Sequence, residues 1–64
     1  MKIKKNETYA DFIKRVRAKA KYTQQELAAE LGVERTTIYY WEIERRTPSL
    51  KSQRKIDEFA NGIK

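Results

Sequence analysis

Four stretches of the chain carry apolar residues at helical spacing. The first is Tyr9, Phe12, Ile13, Val16 and Ala20, which predicts a helix from about Tyr9 to Ala20. Thr8 and Asp11 form a capping pair at its start, and Lys14, Arg15, Lys19 and Lys21 fall on its wet side. The second stretch, Leu27, Ala28 and Leu31, predicts a helix over Gln24–Leu31. Thr23 supplies a hydroxyl for orphan amides, and Glu26, three residues on, reaches back to complete a capping box. Tyr22 and Leu27 flank that cap at the spacing of a hydrophobic staple, and Gly32 ends the helix with a left-handed residue.

A third helix is expected over Arg35–Ile43, seated on the second by Ile38 and Trp41. Arg35, Thr36, Tyr39 and Tyr40 then point away from the body. Glu34 is a weak N-cap whose charge suits the positive end of the helix, at a few tenths to about 1 kcal/mol. Residues 43–47 read as a loop. Thr47 or Ser49 caps a fourth helix from about Leu50 to Ala60, with Pro48 suited to its first turn and Asn61-Gly62 ending it. Leu50, Ile56, Phe59 and Ala60 are its expected buried residues. Residues 1–7 form a basic arm, either loose or leading into the first helix. Two short helices joined by a glycine turn, the second with a donor-rich outer face, are the outline of a helix-turn-helix spanning 23–42.

Composition narrows the picture. Sixty-four residues make one small domain, and chains of this size rarely gain more than about 3–5 kcal/mol from a single core. With no cysteine and no histidine, neither disulfides nor a His/Cys zinc site supplements it, and no cofactor or metal is expected. An enzyme is disfavoured for the same reason, and because there is no glycine-rich phosphate loop. No apolar run approaches the roughly 20 residues of a membrane span, and the basic start is not followed by the apolar stretch of a signal peptide, so a cytoplasmic location is expected. Fifteen Lys and Arg against nine Asp and Glu leave a net charge of +6, which favours a polyanionic partner.

Residues 12–52 resemble the Cro/repressor (Xre-type, lambda-repressor-like) helix-turn-helix family. The resemblance is carried by Thr23-Gln24-x-Glu26-Leu27-Ala28-x-x-Leu31-Gly32-Val33, then Thr37-Ile38-x-x-Trp41-Glu42, then Arg46-Thr47-Pro48-Ser49-Leu50. It implies an all-α, four- to five-helix domain and a sequence-specific regulator of transcription, of phage, mobile-element or bacterial repressor type. In such proteins the third helix enters the major groove of double-stranded DNA, and two copies sit about 34 Å apart on a palindromic operator. Position by position, the resemblance implies base contacts by Arg35, Thr36 and Tyr40, and backbone contacts by Gln24 and Thr37. It also implies an ion pair between Arg17 and Glu42 that clasps the first helix to the third.

The residue chemistry suits these roles. Arg35 can bridge guanine O6 and N7, and Thr36 can offer a methyl or a hydroxyl to a base edge. Tyr39 suits a phosphate hydrogen bond, and Arg45 and Arg46 in the following loop suit the sugar-phosphate backbone, with Lys21 and Lys51 weaker candidates of that kind. The chain departs from the family where glycine is frequent, at Lys21 and Glu44, and where leucines are usual, at Gln53 and Arg54. Relatives often add a fifth helix that helps them dimerise, so weak self-association is expected, strengthened on DNA and using Phe59, Ile63 or the aromatic end of the first helix. The alternative is a protein-interaction module on the same fold, an antirepressor or a regulator of another DNA-binding protein, for which Tyr39 and Tyr40 would serve as hot spots. Single-stranded RNA binding is disfavoured because the aromatics do not form a sheet platform.

Overall fold

The computed structural model describes residues 1–63. Among these, four helices follow in order: α1, Tyr9–Ala20; α2, Gln24–Leu31; α3, Arg35–Glu42; and α4, Leu50–Asn61. Three of the four starts have a local chemical reason. Thr8 Oγ1 accepts from the Asp11 amide (3.1 Å), and Ser49 Oγ accepts from the Ser52 amide (3.2 Å). At α2 the capping box closes in both directions: the Glu26 amide donates to Thr23 Oγ1 (3.1 Å), and the Thr23 amide donates to Glu26 Oε1 (2.9 Å). Helix α3 follows Glu34, which makes no side-chain cap, so its seat depends on packing rather than on its own termini.

The core is built by those apolar faces. Phe12, Ile13 and Val16 of α1 meet Leu27, Ala28 and Leu31 of α2, Ile38 and Trp41 of α3, and Ile56 and Ala60 of α4. Ala10 is buried as well. Polar clasps hold the outer layer. The Tyr9 hydroxyl donates to the Asp57 carboxylate (3.1 and 3.2 Å), tying α1 to α4, and Lys55 Nζ donates to the carbonyl of Leu31 at the end of α2 (3.4 Å). The hydroxyl of Tyr9 is harder to ionise than usual, through burial and the adjacent carboxylate.

Three expectations need correction. Leu50 is 74% exposed, not part of the core: as the first residue of α4 it precedes the turn that reaches the other helices. Phe59 is half-buried, its ring against Tyr22 (centroids 5.4 Å apart). Arg15 is not on a purely wet face either. Its guanidinium grips Glu7 through Nε and Nη2 (both 2.8 Å) and donates to Lys2 O (2.7 Å). Together with Met1 and Ile3, which pack against the core, this holds residues 1–7 on the body instead of leaving a loose arm.

Among the described residues two non-glycine residues adopt left-handed backbone, Lys21 (φ 60°) after α1 and Glu44 (φ 62°) after α3. That conformation costs an L-residue about 1–2 kcal/mol. Glycine removes the cost but raises the entropy of the unfolded chain, offsetting about 0.4–1 kcal/mol of the gain. Lys21→Gly and Glu44→Gly are each expected to stabilise the fold by about 0.5–1 kcal/mol, read as a higher urea midpoint at unchanged slope. A lower midpoint for both would show that their side chains stabilise the turns by more than the strain costs.

Candidate nucleic-acid interface

The turn between α2 and α3 is made by Gly32 (φ 69°), whose amide and that of Val33 return to the carbonyls of Ala29 (3.4 Å) and Ala28 (3.0 Å). This geometry satisfies the end of α2 and sends the chain back as α3 at an angle. One side of α3 is then fixed. Ile38 is fully buried, Trp41 is 5% exposed and Glu42 6% exposed.

Among the described residues Glu42 is the buried charged one, and three donors converge on it. Arg17 Nε donates to Oε2 (2.7 Å), Arg17 Nη2 to Oε1 (3.0 Å), and Gln24 Nε2 to Oε1 (3.1 Å). Arg17 Nη1 also donates to the carbonyl of Tyr22 (3.0 Å). One carboxylate therefore joins α1, α2 and α3, and the guanidinium reaches the turn into α2 as well. Burial alone would push the Glu42 carboxyl up. The hydrogen bonds from Arg17 and Gln24 more than offset this and hold it below the usual carboxylate range.

The opposite side of α3 faces outward. Arg35, Thr36, Tyr39 and Tyr40 are exposed, the two tyrosines at 44% and 37%, while Thr37 is half-buried at the edge. Gln24 is half-buried at the start of α2 beside this face. Its tie to Glu42 was not foreseen, and it occupies one N–H of the carboxamide while leaving the second free to donate. Arg45 and Arg46 are exposed in the loop that follows. Among the described residues no carboxylate pairs with Arg35, Arg45 or Arg46, whereas Arg15 and Arg17 are both paired inward. The free cations of α3 and its loop are thus on the outer side, and the neutralised ones hold the scaffold.

The loop carries a feature the sequence did not disclose. The left-handed turn at Glu44 brings the amides of Arg45 (2.9 Å) and Arg46 (3.3 Å) back onto the carbonyl of Tyr40. The Arg46 guanidinium carbon then lies 5.9 Å from the centre of the Tyr40 ring, which itself sits 5.8 Å from the Tyr39 ring. A residue six positions along from Tyr40 is outside any helical pairing rule, so only the turn geometry reveals it. Lys21 is exposed at the end of α1 and Lys51 at the start of α4.

Among the described residues no group of His, Cys, Asp or Glu is arranged to hold a metal ion, and no helix is long and apolar enough to cross a membrane.

A family model described as helix-turn-helix matches residues 13–61 of the chain. The chain is also similar to an uncharacterized HTH-type transcriptional regulator of Archaeoglobus fulgidus, with 47% identity over 49 residues, covering 77% of this chain and 69% of the relative. No solved structure matches it at comparable stringency.

Proposed function

The chain belongs to the helix-turn-helix family, of the Cro/repressor type, and from that membership we propose that it is a sequence-specific double-stranded DNA-binding regulator of transcription. The observation that carries this reading is the two-sidedness of α3. Its inner side is locked by Ile38, Trp41 and the Arg17–Glu42–Gln24 cluster, and its outer side leaves Arg35, Thr36 and Tyr40 exposed. A rigid helix with uncommitted donors suits the major groove, where each base pair presents a distinct pattern of donors and acceptors.

In this reading Arg35, Thr36 and Tyr40 meet base edges. Gln24 uses its free N–H on a phosphate, and Thr37, Tyr39, Arg45 and Arg46 contact the sugar-phosphate backbone, setting register without specifying sequence. One such domain covers half of a two-fold site. Two copies about 34 Å apart would fill a palindromic operator, with self-association weak until DNA holds them together. Repression follows where such an operator overlaps a promoter.

Titrating duplex DNA at two salt concentrations tests the reading. Affinity is expected to fall steeply with salt, with a logarithmic slope of about −0.9 for each phosphate neutralised. Selection from a random duplex pool is expected to recover a palindrome. An absence of binding at low salt would overturn the proposal and favour the protein-interaction alternative, for which the exposed Tyr39, Tyr40 and Ile43 offer an aromatic and aliphatic contact surface.

A further inference from the structure

We propose that Tyr40 is a positioning residue for Arg46, and that the two form one backbone-contacting unit at the carboxyl-terminal edge of α3. The inference rests on the DNA-binding reading above and changes the role given there to Tyr40, from an independent base contact to a platform. Three observations meet at this place. The carbonyl of Tyr40 accepts from the amides of both Arg45 and Arg46, which fixes the loop against the end of the helix. The Arg46 guanidinium lies over the Tyr40 ring within the distance at which the ring quadrupole attracts a cation. No carboxylate among the described residues competes for that guanidinium.

The geometry has a chemical consequence. A guanidinium drawn toward a ring face, here 5.9 Å from its centre, is screened on one side, while N–H donors turned away from the ring stay free. That attraction restricts the rotational freedom of a long side chain and keeps its donors at the edge of α3, within reach of a phosphate they can grip bidentately. An exposed arginine without a platform would have to lose that freedom on binding. The Tyr39 ring, 5.8 Å from that of Tyr40, buttresses the platform from the helix side. The left-handed Glu44 supplies the reversal that returns Arg46 to it.

The platform and the direct base contact make different predictions for Tyr40. A platform needs the ring and not the hydroxyl, so Tyr40→Phe keeps the affinity of the parent chain, whereas Tyr40→Ala weakens it. Because Tyr40→Ala acts through Arg46, the cost of Arg46→Ala shrinks in the Tyr40→Ala background, by about two- to fivefold in dissociation constant. Losing the oriented guanidinium also removes a phosphate contact. Arg46→Ala is therefore expected to make the salt slope shallower by about 0.9, and Tyr40→Ala to make it shallower as well.

The experiment is a titration of the duplex recovered by selection, with the parent chain, the three single variants and the double variant, at two salt concentrations. Side-chain proton resonances of Arg46 in the free protein give a second readout: an upfield ring-current shift retained in Tyr40→Phe and abolished in Tyr40→Ala. Tyr40→Phe matching the parent, with non-additive costs for the alanine variants, supports the platform. Tyr40→Phe falling as far as Tyr40→Ala, or costs that add in full at unchanged salt slope, overturns it and returns Tyr40 to direct base contact. A parent chain that binds no duplex overturns the DNA reading itself, and the platform's role in binding with it.

Discussion

Replacing Arg17 by alanine is expected to destabilise the domain by about 3 kcal/mol, more than any other single surface-accessible change. Removing one member of a buried ion pair typically costs about 3–5 kcal/mol, because the remaining charge is stranded away from water. The lower end applies here, since the Arg17 side chain keeps 24% of its exposure. The pair is not symmetric. Without Arg17, Glu42 is left with only 6% of its side chain exposed and Gln24 as its remaining donor. Without the Glu42 charge, Arg17 keeps the Tyr22 carbonyl and reaches solvent. Glu42→Gln is therefore expected to cost clearly less than Arg17→Ala.

At about 4–8 °C per kcal/mol for a domain of this size, Arg17→Ala should melt roughly 12–24 °C below the parent. A domain whose single core gives about 3–5 kcal/mol in total would then keep only about 0–2 kcal/mol of stability at room temperature. Thermal melts followed by circular dichroism decide the matter. An Arg17→Ala protein within 1 kcal/mol of the parent would mean that packing of Ile38 and Trp41 alone seats α3.

The same cluster fixes the direction of the acid response. The folded-state pKa of Glu42 lies below its ordinary value, so the stability it contributes is fully present above that value and lost as pH falls through the lowered one. Glu7 behaves alike: chiefly through the hydrogen bonds from Arg15, its pKa is lowered from 4.5 to about 2. Urea midpoints are expected to be flat near neutrality and to fall between about pH 4.5 and 2. In Arg17→Ala the Glu42 share of that fall should shrink, because the Arg17 hydrogen bonds that help to lower its pKa are gone and burial is opposed chiefly by Gln24.

How much of this was legible in the residues depends on how local the signal is. The spans of α1 and α2 follow from caps and spacing that lie within a few positions of one another, such as Thr23 with Glu26 and the face of Phe12, Ile13 and Val16. The outward direction of Arg35, Thr36, Tyr39 and Tyr40 follows from the seat of Ile38 and Trp41 on the other side of the same helix. Long-range polar contacts were not legible from spacing. Arg17 and Glu42 are 25 residues apart, and their pairing was an expectation only through family resemblance. Nothing indicated that Gln24 shares the same carboxylate, or that Arg15 bends residues 1–7 onto the body. Leu50 misled because an apolar residue at the first position of a helix has no turn before it to set its face. The return of Arg46 to Tyr40 depends on a left-handed Glu44, which glycine preferences would not assign to a glutamate.

Arg35→Ala is expected to weaken binding to the preferred duplex about 5- to 150-fold, corresponding to the roughly 1–3 kcal/mol of a bidentate base contact, and to relax selection at one base pair. Arg35 opens α3, where no acidic residue occupies the first turn. A cation there faces the positive end of the helix dipole, a disfavoured placement by about 0.3–1 kcal/mol, only partly relieved by Glu34 before it. Alanine also has the higher helix propensity. The fold should therefore be unharmed, or stabilised by a few tenths of a kcal/mol, by the same change that impairs binding. Opposite signs in the two measurements separate a residue held for its ligand from one held for the fold. Arg45→Ala is the control: a backbone contact lowers affinity about evenly across sequences and makes the salt slope shallower by about 0.9. If Arg35→Ala instead lowered affinity evenly and left the selected sequence unchanged, Arg35 would belong with the phosphate contacts, and base discrimination would rest on Thr36 and its neighbours on α3.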